Sequence, residues 1–261
     1  MCFDLHGDRH VTYLSLASVS LLMIVHILVG HLHFLEQERW RSVGAGIAMS
    51  YVFLDILPHL SSKQYLLEDT IGTGFGVFIQ HHAYLFSLAG FVLFFGLVGV
   101  EQRLRTSQTV MVEPGEPHSA VKVLGMAIAA YCFLIGYLIG EQPDHRYEPV
   151  IILALAMTIH MAGVNHTVRD NYPRFYDQVI RYVLAATTFV GWLLGVVTIV
   201  PDIIFALVFS FVVGVIIIVA FLYELPVAVG ERKYWFFVAG VTGFSALLLI
   251  YEALAKIPLS A

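Results

Sequence analysis

Histidine placement is the first chemical signal in this chain. It has 12 histidines, and several stand inside apolar runs, where a polar ring is costly. His26, His31 and His33 share the first run. At about 100° per residue, His26 and His33 fall about 20° apart on one helix face, with His31 about 140° round from His26. His26 is expected at bilayer depth, whereas His31 and His33 are near the end of the run, where an imidazole reaches water or headgroups. In the second run Asp55 and His59 are spaced i, i+4, so they share a face and can hydrogen-bond. His81 and His82 open the third run on that same side. An outer cluster of Asp55, His59 and His82 is therefore a candidate metal entrance, its carboxylate and imidazoles suiting a borderline ion such as zinc. The plainer reading is a solvated helix-end network, because adjacent histidines point about 100° apart.

His160 occupies the middle of the fifth run, with Asn165 and His166 beyond it. His160 and His166 fall about 120° apart and are no chelating pair, while Thr167 shares the His160 face. A lone imidazole at this depth is either a hydrogen-bonded packing residue or a ligand. Cys132, in the fourth run, is a soft donor among apolar neighbours, a setting that favours its neutral, non-ligating form. Glu224 and Glu252 lie near the ends of the seventh and eighth runs, where water reaches.

These residues need elements to position them, and eight apolar runs of spanning length supply them. They are about 13–35, 43–60, 76–100, 120–140, 149–168, 178–200, 203–226 and 234–255. About 20 apolar residues cross the hydrocarbon core, and within it a helix satisfies its own backbone. The expectation is an all-α, single-domain integral membrane bundle of eight transmembrane helices over residues 1–261. With 59% hydrophobic and 13% charged residues, too little polar surface remains to solvate a globule of this size.

Charge sets the orientation. The odd-numbered loops hold ten of the 14 basic residues, including Arg39, Arg41, Arg103, Arg105, Arg169 and Arg174. Arg9, Lys63, Arg146 and Lys256 fall on the other side. By the positive-inside rule both termini face away from the cytoplasm, and the polar 101–119 linker lies within it. The N-terminal residues lack the basic region of a signal peptide, so the first helix is expected to remain, in the cell (inner or plasma) membrane. The two cysteines, Cys2 and Cys132, form no disulfide framework. No basic cluster points to nucleic acid. The expected partner is the lipid bilayer, with divalent metal ions as cargo; oligomeric state stays open.

Gly136-x-x-x-Gly140, Gly191-x-x-x-Gly195, Gly163 and Gly240-x-x-Gly243 are small-residue stripes of the kind that let helix backbones approach. A weak internal echo relates Leu54-Asp-Ile-Leu-Pro58 to Leu222-Tyr-Glu-Leu-Pro226. Each is an acid, an aliphatic step and a proline at a helix end, and such repeats occur in transporters.

Eight helices, outside termini and a main cytoplasmic loop after the third helix resemble the ZIP (zinc- and iron-permease) family of metal transporters. Local sequence adds to this. The stretch Gly46-Ile-Ala-Met-Ser-Tyr-Val-Phe-Leu-Asp55-Ile-Leu-Pro58 is similar to the family's second helix, with His59 where an acid is usual. Gly191-Trp-Leu-Leu-Gly195 is similar to its sixth; Gly214 to Pro226 and Phe237-Val-Ala-Gly240-Val-Thr-Gly243-Phe are similar to its seventh and eighth. The resemblance implies a ZIP-like fold and a two-metal site on helices 4 and 5. The best register puts Tyr131-Cys132-Phe-Leu-Ile-Gly136 and His160-Met-Ala-Gly-Val164 on the family's ligand motifs. His160 alone keeps a usual ligand type there, and the carboxylates are absent. The expectation is therefore no enzyme, but a non-standard route for a zinc-type divalent ion, stepping through His160, Cys132, His26 and Glu224 from an entrance at Asp55, His59 and His82. Readings in other classes are a non-transporting interaction or sensor protein on the same fold, a haem-binding electron carrier using His26, His82 and His160, and an intramembrane zinc hydrolase built on Asp55 and His59.

Overall fold

The computed structural model describes residues 7–31, 38–70, 82–111, 118–141, 147–198, 200–225 and 231–255. They form eight helical rods with no strand among the described residues. These are α1 (Gly7–Leu28, closing in a 3-10 turn Val29–His31), α2 (38–70), α3 (His82–Met111), α4 (His118–Gly140), α5 (Tyr147–Asn171), α6 (173–197), α7 (202–225) and α8 (Glu231–Ala255). Seven are long and apolar enough to cross a membrane, and α1 adds the shorter apolar stretch Tyr13–Leu28.

The surface fits a bilayer. Leu85, Leu88, Val92, Leu93 and Phe95 on α3 face outward, as do Leu247, Leu249 and Ile250 on α8. Exposed tryptophans and tyrosines among the described residues collect at the two ends: Trp40, Tyr182, Tyr234 and Trp235 where the even-numbered helices begin, Tyr13, Tyr65 and Tyr84 where α1 and α3 begin and α2 finishes. On α2 the 25 steps from Trp40 to Tyr65 span about 37 Å, the separation expected of two interfacial aromatic belts around a hydrocarbon core.

Apolar runs mark where lipid is, whereas helix ends are set by backbone hydrogen bonds, so several boundaries move. Helix α2 runs ten residues beyond Leu60 through the polar stretch Ser61–Thr70, and α3 continues to Met111. The 101–119 linker is thus helical over residues 101–111 and 118–119. The 3-10 turn after Leu28 tightens the winding that the His26/His33 phase assumed constant; His33 and His81 lie outside the described residues.

Three helices contain a π turn. In α2 it covers Val52–Ile56, with the Leu57 N–H donating to the Val52 carbonyl; in α7 it covers Ala220–Glu224, with Leu225 N–H donating to Ala220. Each overlaps the first three residues of an echoed pentad, 54–56 and 222–224. Proline has no N–H to return to the carbonyl four residues earlier, here Leu54 and Leu222, so the winding widens before it. The third, Tyr176–Ile180, follows Pro173 in α6.

Three seams hold the rods together, and each has the same geometry. A Cβ on Gly136 would lie 2.1 Å from the Thr188 carbonyl oxygen, and one on Gly191 2.0 Å from that of Phe133. Gly90 and Gly214 give 2.1 Å to Phe211 and 1.7 Å to Ser87; Gly46 and Gly240 give 2.3 Å to Phe237 and 2.2 Å to Val43. Each glycine of a pair rests on the backbone one turn before its partner, as in parallel crossings of small-residue helices. The close pairs are α4 with α6, α3 with α7, and α2 with α8, while α1 packs on α5 and α6. Gly243 meets nothing within 4 Å, so the expected Gly240/Gly243 stripe reduces to Gly240.

Exchanging α1 with α6, α2 with α7, α3 with α8 and α4 with α5 turns the α2–α8 pair into α7–α3 and the α4–α6 pair into α5–α1. This exchange joins helices running in opposite directions. It also superposes the two proline-linked π turns in connectivity, at Val52–Ile56 and Ala220–Glu224.

Candidate functional site

Where α1, α4, α5 and α6 meet, the apolar interior is broken by a group of neutral polar side chains. His26, on α1, is 1% exposed. Its Nδ1 lies 2.9 Å from Asn165 Nδ2 and 3.2 Å from Asn165 Oδ1. Its Nε2 lies 3.3 Å from Thr188 Oγ1 and 3.7 Å from Cys132 Sγ. The Thr188 hydroxyl donates to the Leu184 carbonyl at 2.7 Å, so it is free to accept from the His26 ring. Asn165 presents both halves of its amide to Nδ1 and serves either imidazole tautomer. Backbone is drawn in as well: the Tyr176 hydroxyl donates to the His26 carbonyl at 3.0 Å. The Cys132 sulfur also meets Met161 Sδ at 4.0 Å.

His160 forms a second, smaller unit. Its Nε2 is 3.0 Å from the Tyr131 hydroxyl, the two rings meet edge to face, and Phe94 closes on Tyr131. Sequence register put Tyr131, Cys132, Ile135, Met161 and Val164 opposite one another, and all five are buried. Side chains of α4 and α5 do meet there, at Tyr131–His160 and Cys132–Met161.

The outer residues are arranged differently. His59 is 54% exposed and Asp55 26%; the imidazole Nδ1 donates to the Asp55 carbonyl at 2.8 Å, with the carboxylate 3.7 Å away. Tyr51 shares a hydrogen bond with the Asp55 carboxyl group. His82 is buried at the start of α3, where Gln64 Oε1 accepts the Ala83 N–H at 3.0 Å and so caps that helix. The entrance cluster of Asp55, His59 and His82 is not gathered into one ligand set: among the described residues no three of His, Cys, Asp and Glu come together to hold a metal. Glu224 ends the α7 π turn, and its side chain lies outside the described residues.

At the opposite, basic end a salt-bridged collar ties four helices. Arg41 Nη1 contacts Asp170 Oδ2 at 3.0 Å, Arg169 Nε contacts Asp177 Oδ1 at 3.0 Å, and Arg105 Nη1 donates to Asn171 Oδ1 at 3.0 Å. Tyr172, at the α5–α6 junction, donates to Glu101. Burial first, and the Glu101 carboxylate second, push its phenol above the usual range.

Residue spacing pointed to His26, Cys132 and His160 separately. It did not pair His26 with Asn165 and Thr188, or Cys132 with Met161, because these partners come from different helices. Asn165, a rare amide within an apolar run, was the one available signal.

No family model matches this chain, and no curated protein and no solved structure matches it either.

Proposed function

We propose that this chain is a divergent ZIP-like membrane protein that passes metal ions by a histidine-based route through the junction of α1, α4, α5 and α6. The observation that carries this reading is the His26–Asn165–Thr188–Cys132 group, buried in the bundle interior. Polar side chains at such depth are costly and mark ion or substrate pathways. The pairwise exchange of helices described above supports the same reading, since transporters place their sites where repeats of opposite orientation meet. His26, Cys132 and His160 are the interior stations of this route, Asp55, His59 and His82 lie toward its outer end, and Glu224 stands at the opposite, basic end. Basic residues at the even-numbered helix starts put that end in the cytoplasm, with both termini outside, in the cell membrane.

Flux of zinc and of other metal ions into vesicles carrying purified protein is the test. Transport that falls at least about 10-fold in His26→Gln, with His59→Ala milder, is the expected result; a metal-tight vesicle for every ion tried rejects it. One observation favours a second reading, a non-transporting sensor or interaction protein: no carboxylate joins the described central group, and a divalent ion losing its hydration calls for anionic oxygen or thiolate. Metal binding with unchanged vesicle permeability would select that reading.

A further inference from the structure

We infer that His26 Nε2, Cys132 Sγ and Met161 Sδ form a site for a soft monovalent ion, of the Cu(I) or Ag(I) class. This inference rests on the metal-handling reading above and names its ion.

The argument begins with distance. Cys132 Sγ is the shared vertex, 3.7 Å from His26 Nε2 and 4.0 Å from Met161 Sδ. Metal bonds of about 2.3 Å to sulfur and about 2.0 Å to imidazole nitrogen place donors of a trigonal site about 3.7 Å (S to N) and about 4.0 Å (S to S) apart. The two edges that meet at Cys132 already match those of a three-coordinate ion, and drawing His26 and Met161 together on the third edge is the rearrangement that binding requires. Donor type agrees. Thiolate and thioether are soft ligands that suit Cu(I); thiolate serves Zn(II) as well, whereas hard divalent ions prefer oxygen.

Charge decides between ions. All three donors are buried, at 1%, 1% and 0% exposure in chain order. When a monovalent ion binds, the Cys132 S–H bond breaks, its proton leaves to water and a metal–sulfur bond forms; the oxidation state of the metal does not change. Thiolate and monovalent cation together are neutral, so the low-dielectric interior receives no net charge. A divalent ion at the same donors would leave one uncompensated positive charge there. The thiol proton that now points to Met161 sulfur is the one the ion replaces.

The surroundings hold the ring in place. Asn165 lies within hydrogen-bonding distance of Nδ1, which leaves Nε2 for Thr188 Oγ1 at 3.3 Å and the Cys132 sulfur at 3.7 Å, and an ion on Nε2 takes the place of the Thr188 contact. Metal-ligating histidines are oriented through their other ring nitrogen in this way, and loss of such a partner typically costs 10–100-fold in affinity.

The experiment uses the full chain, purified in detergent in a Cys2→Ser background, so that Cys132 is the remaining thiol. It is titrated with Ag(I), with Cu(I) kept reduced, and with Zn(II), each against a competing chelator, and the Cu(I) form is examined by X-ray absorption. Expected are one soft ion per chain, a coordination shell of two sulfurs and one nitrogen, and weaker Zn(II) binding. Cys132→Ser abolishes stoichiometric binding, Met161→Leu weakens it by about 10-fold or more and Asn165→Ala by about 10–100-fold. Met161→Leu conserves volume, and the wild-type absorption spectrum needs no variant to fold. A shell without two sulfurs, Zn(II) bound as tightly as Ag(I), or Ag(I) affinity unchanged in both Cys132→Ser and Met161→Leu overturns the site. Ag(I) binding with no vesicle flux leaves the site standing and removes transport; flux that survives Cys132→Ser does the reverse.

Discussion

The bundle centre and the outward-facing Asp55–His59 step of α2 both carry histidine beside a polar partner, yet the two regions are built on opposite terms. His26 is sealed among groups from three other helices, whereas His59 answers mainly to its own helix, through Asp55. In the centre every polar atom that loses water has to find a protein partner, so removing one side chain strands several others. At the α2 position the partner is one residue on the same helix, so removing one side chain strands little else. The lesson is that histidine count and spacing say little until the helix supplying the partner is known.

The comparison breaks most decisively at the seams that create the centre. Gly136→Leu or Gly214→Leu drives a side chain into partner backbone at 2.1 Å or 1.7 Å, and we expect little folded protein from either. Gly195→Leu belongs with them, its Cβ falling 2.4 Å from the Tyr137 carbonyl oxygen. Size-exclusion yield and detergent melting temperature are the measurements. Gly243→Leu, on a glycine with nothing within 4 Å, serves as the matched control, and equal loss there would refute the seam assignment.

Next in size is His26→Ala. It strands Asn165 and Thr188 and opens a cavity, for an expected loss of about 2–4 kcal/mol, read as a large drop in melting temperature. A smaller effect comes from the His160–Tyr131 unit. Tyr131→Phe removes one hydroxyl from a buried bond and is expected to cost about 1–2 kcal/mol. Combined with His160→Phe, a double-mutant cycle should return a coupling of about 1 kcal/mol, and a coupling of zero would show that the 3.0 Å contact contributes nothing. Smallest is His59→Ala, expected within about 0.5 kcal/mol of wild type because the ring is half exposed. A loss as large as that of His26→Ala would erase the distinction between the two regions.

Much of the architecture was legible beforehand. Apolar runs of spanning length identified all eight rods, since a chain segment in lipid has no other way to satisfy its backbone. Their ends were less legible: Ser61–Thr70 and 101–111 are helical although polar, because hydropathy records the solvent around a helix rather than its hydrogen-bond ladder. The echoed prolines at 58 and 226 were read as helix ends, yet α2 continues through Pro58 to Thr70, and what each proline follows is a π turn. Gly136, Gly140, Gly191 and Gly195 were recognisable through their four-residue spacing, whereas Gly46, Gly90 and Gly214 have no glycine four residues away on their own helix and find a partner glycine only across the seam.

The amino-acid sequence by itself determined the all-helical, membrane-type class and which side chains were too polar for lipid, both of which follow from interactions within one segment. Partnership was decided by tertiary structure. His26 lies 139 positions from Asn165 and 162 from Thr188, and Cys132 lies 29 from Met161; no periodicity of a single helix relates them. Which donors converge depends on which helices pack, and that depends on glycine-lined backbones meeting from opposite parts of the chain. The chemistry open to the centre, a neutral cage of nitrogen and sulfur rather than a carboxylate site, is a consequence of that packing.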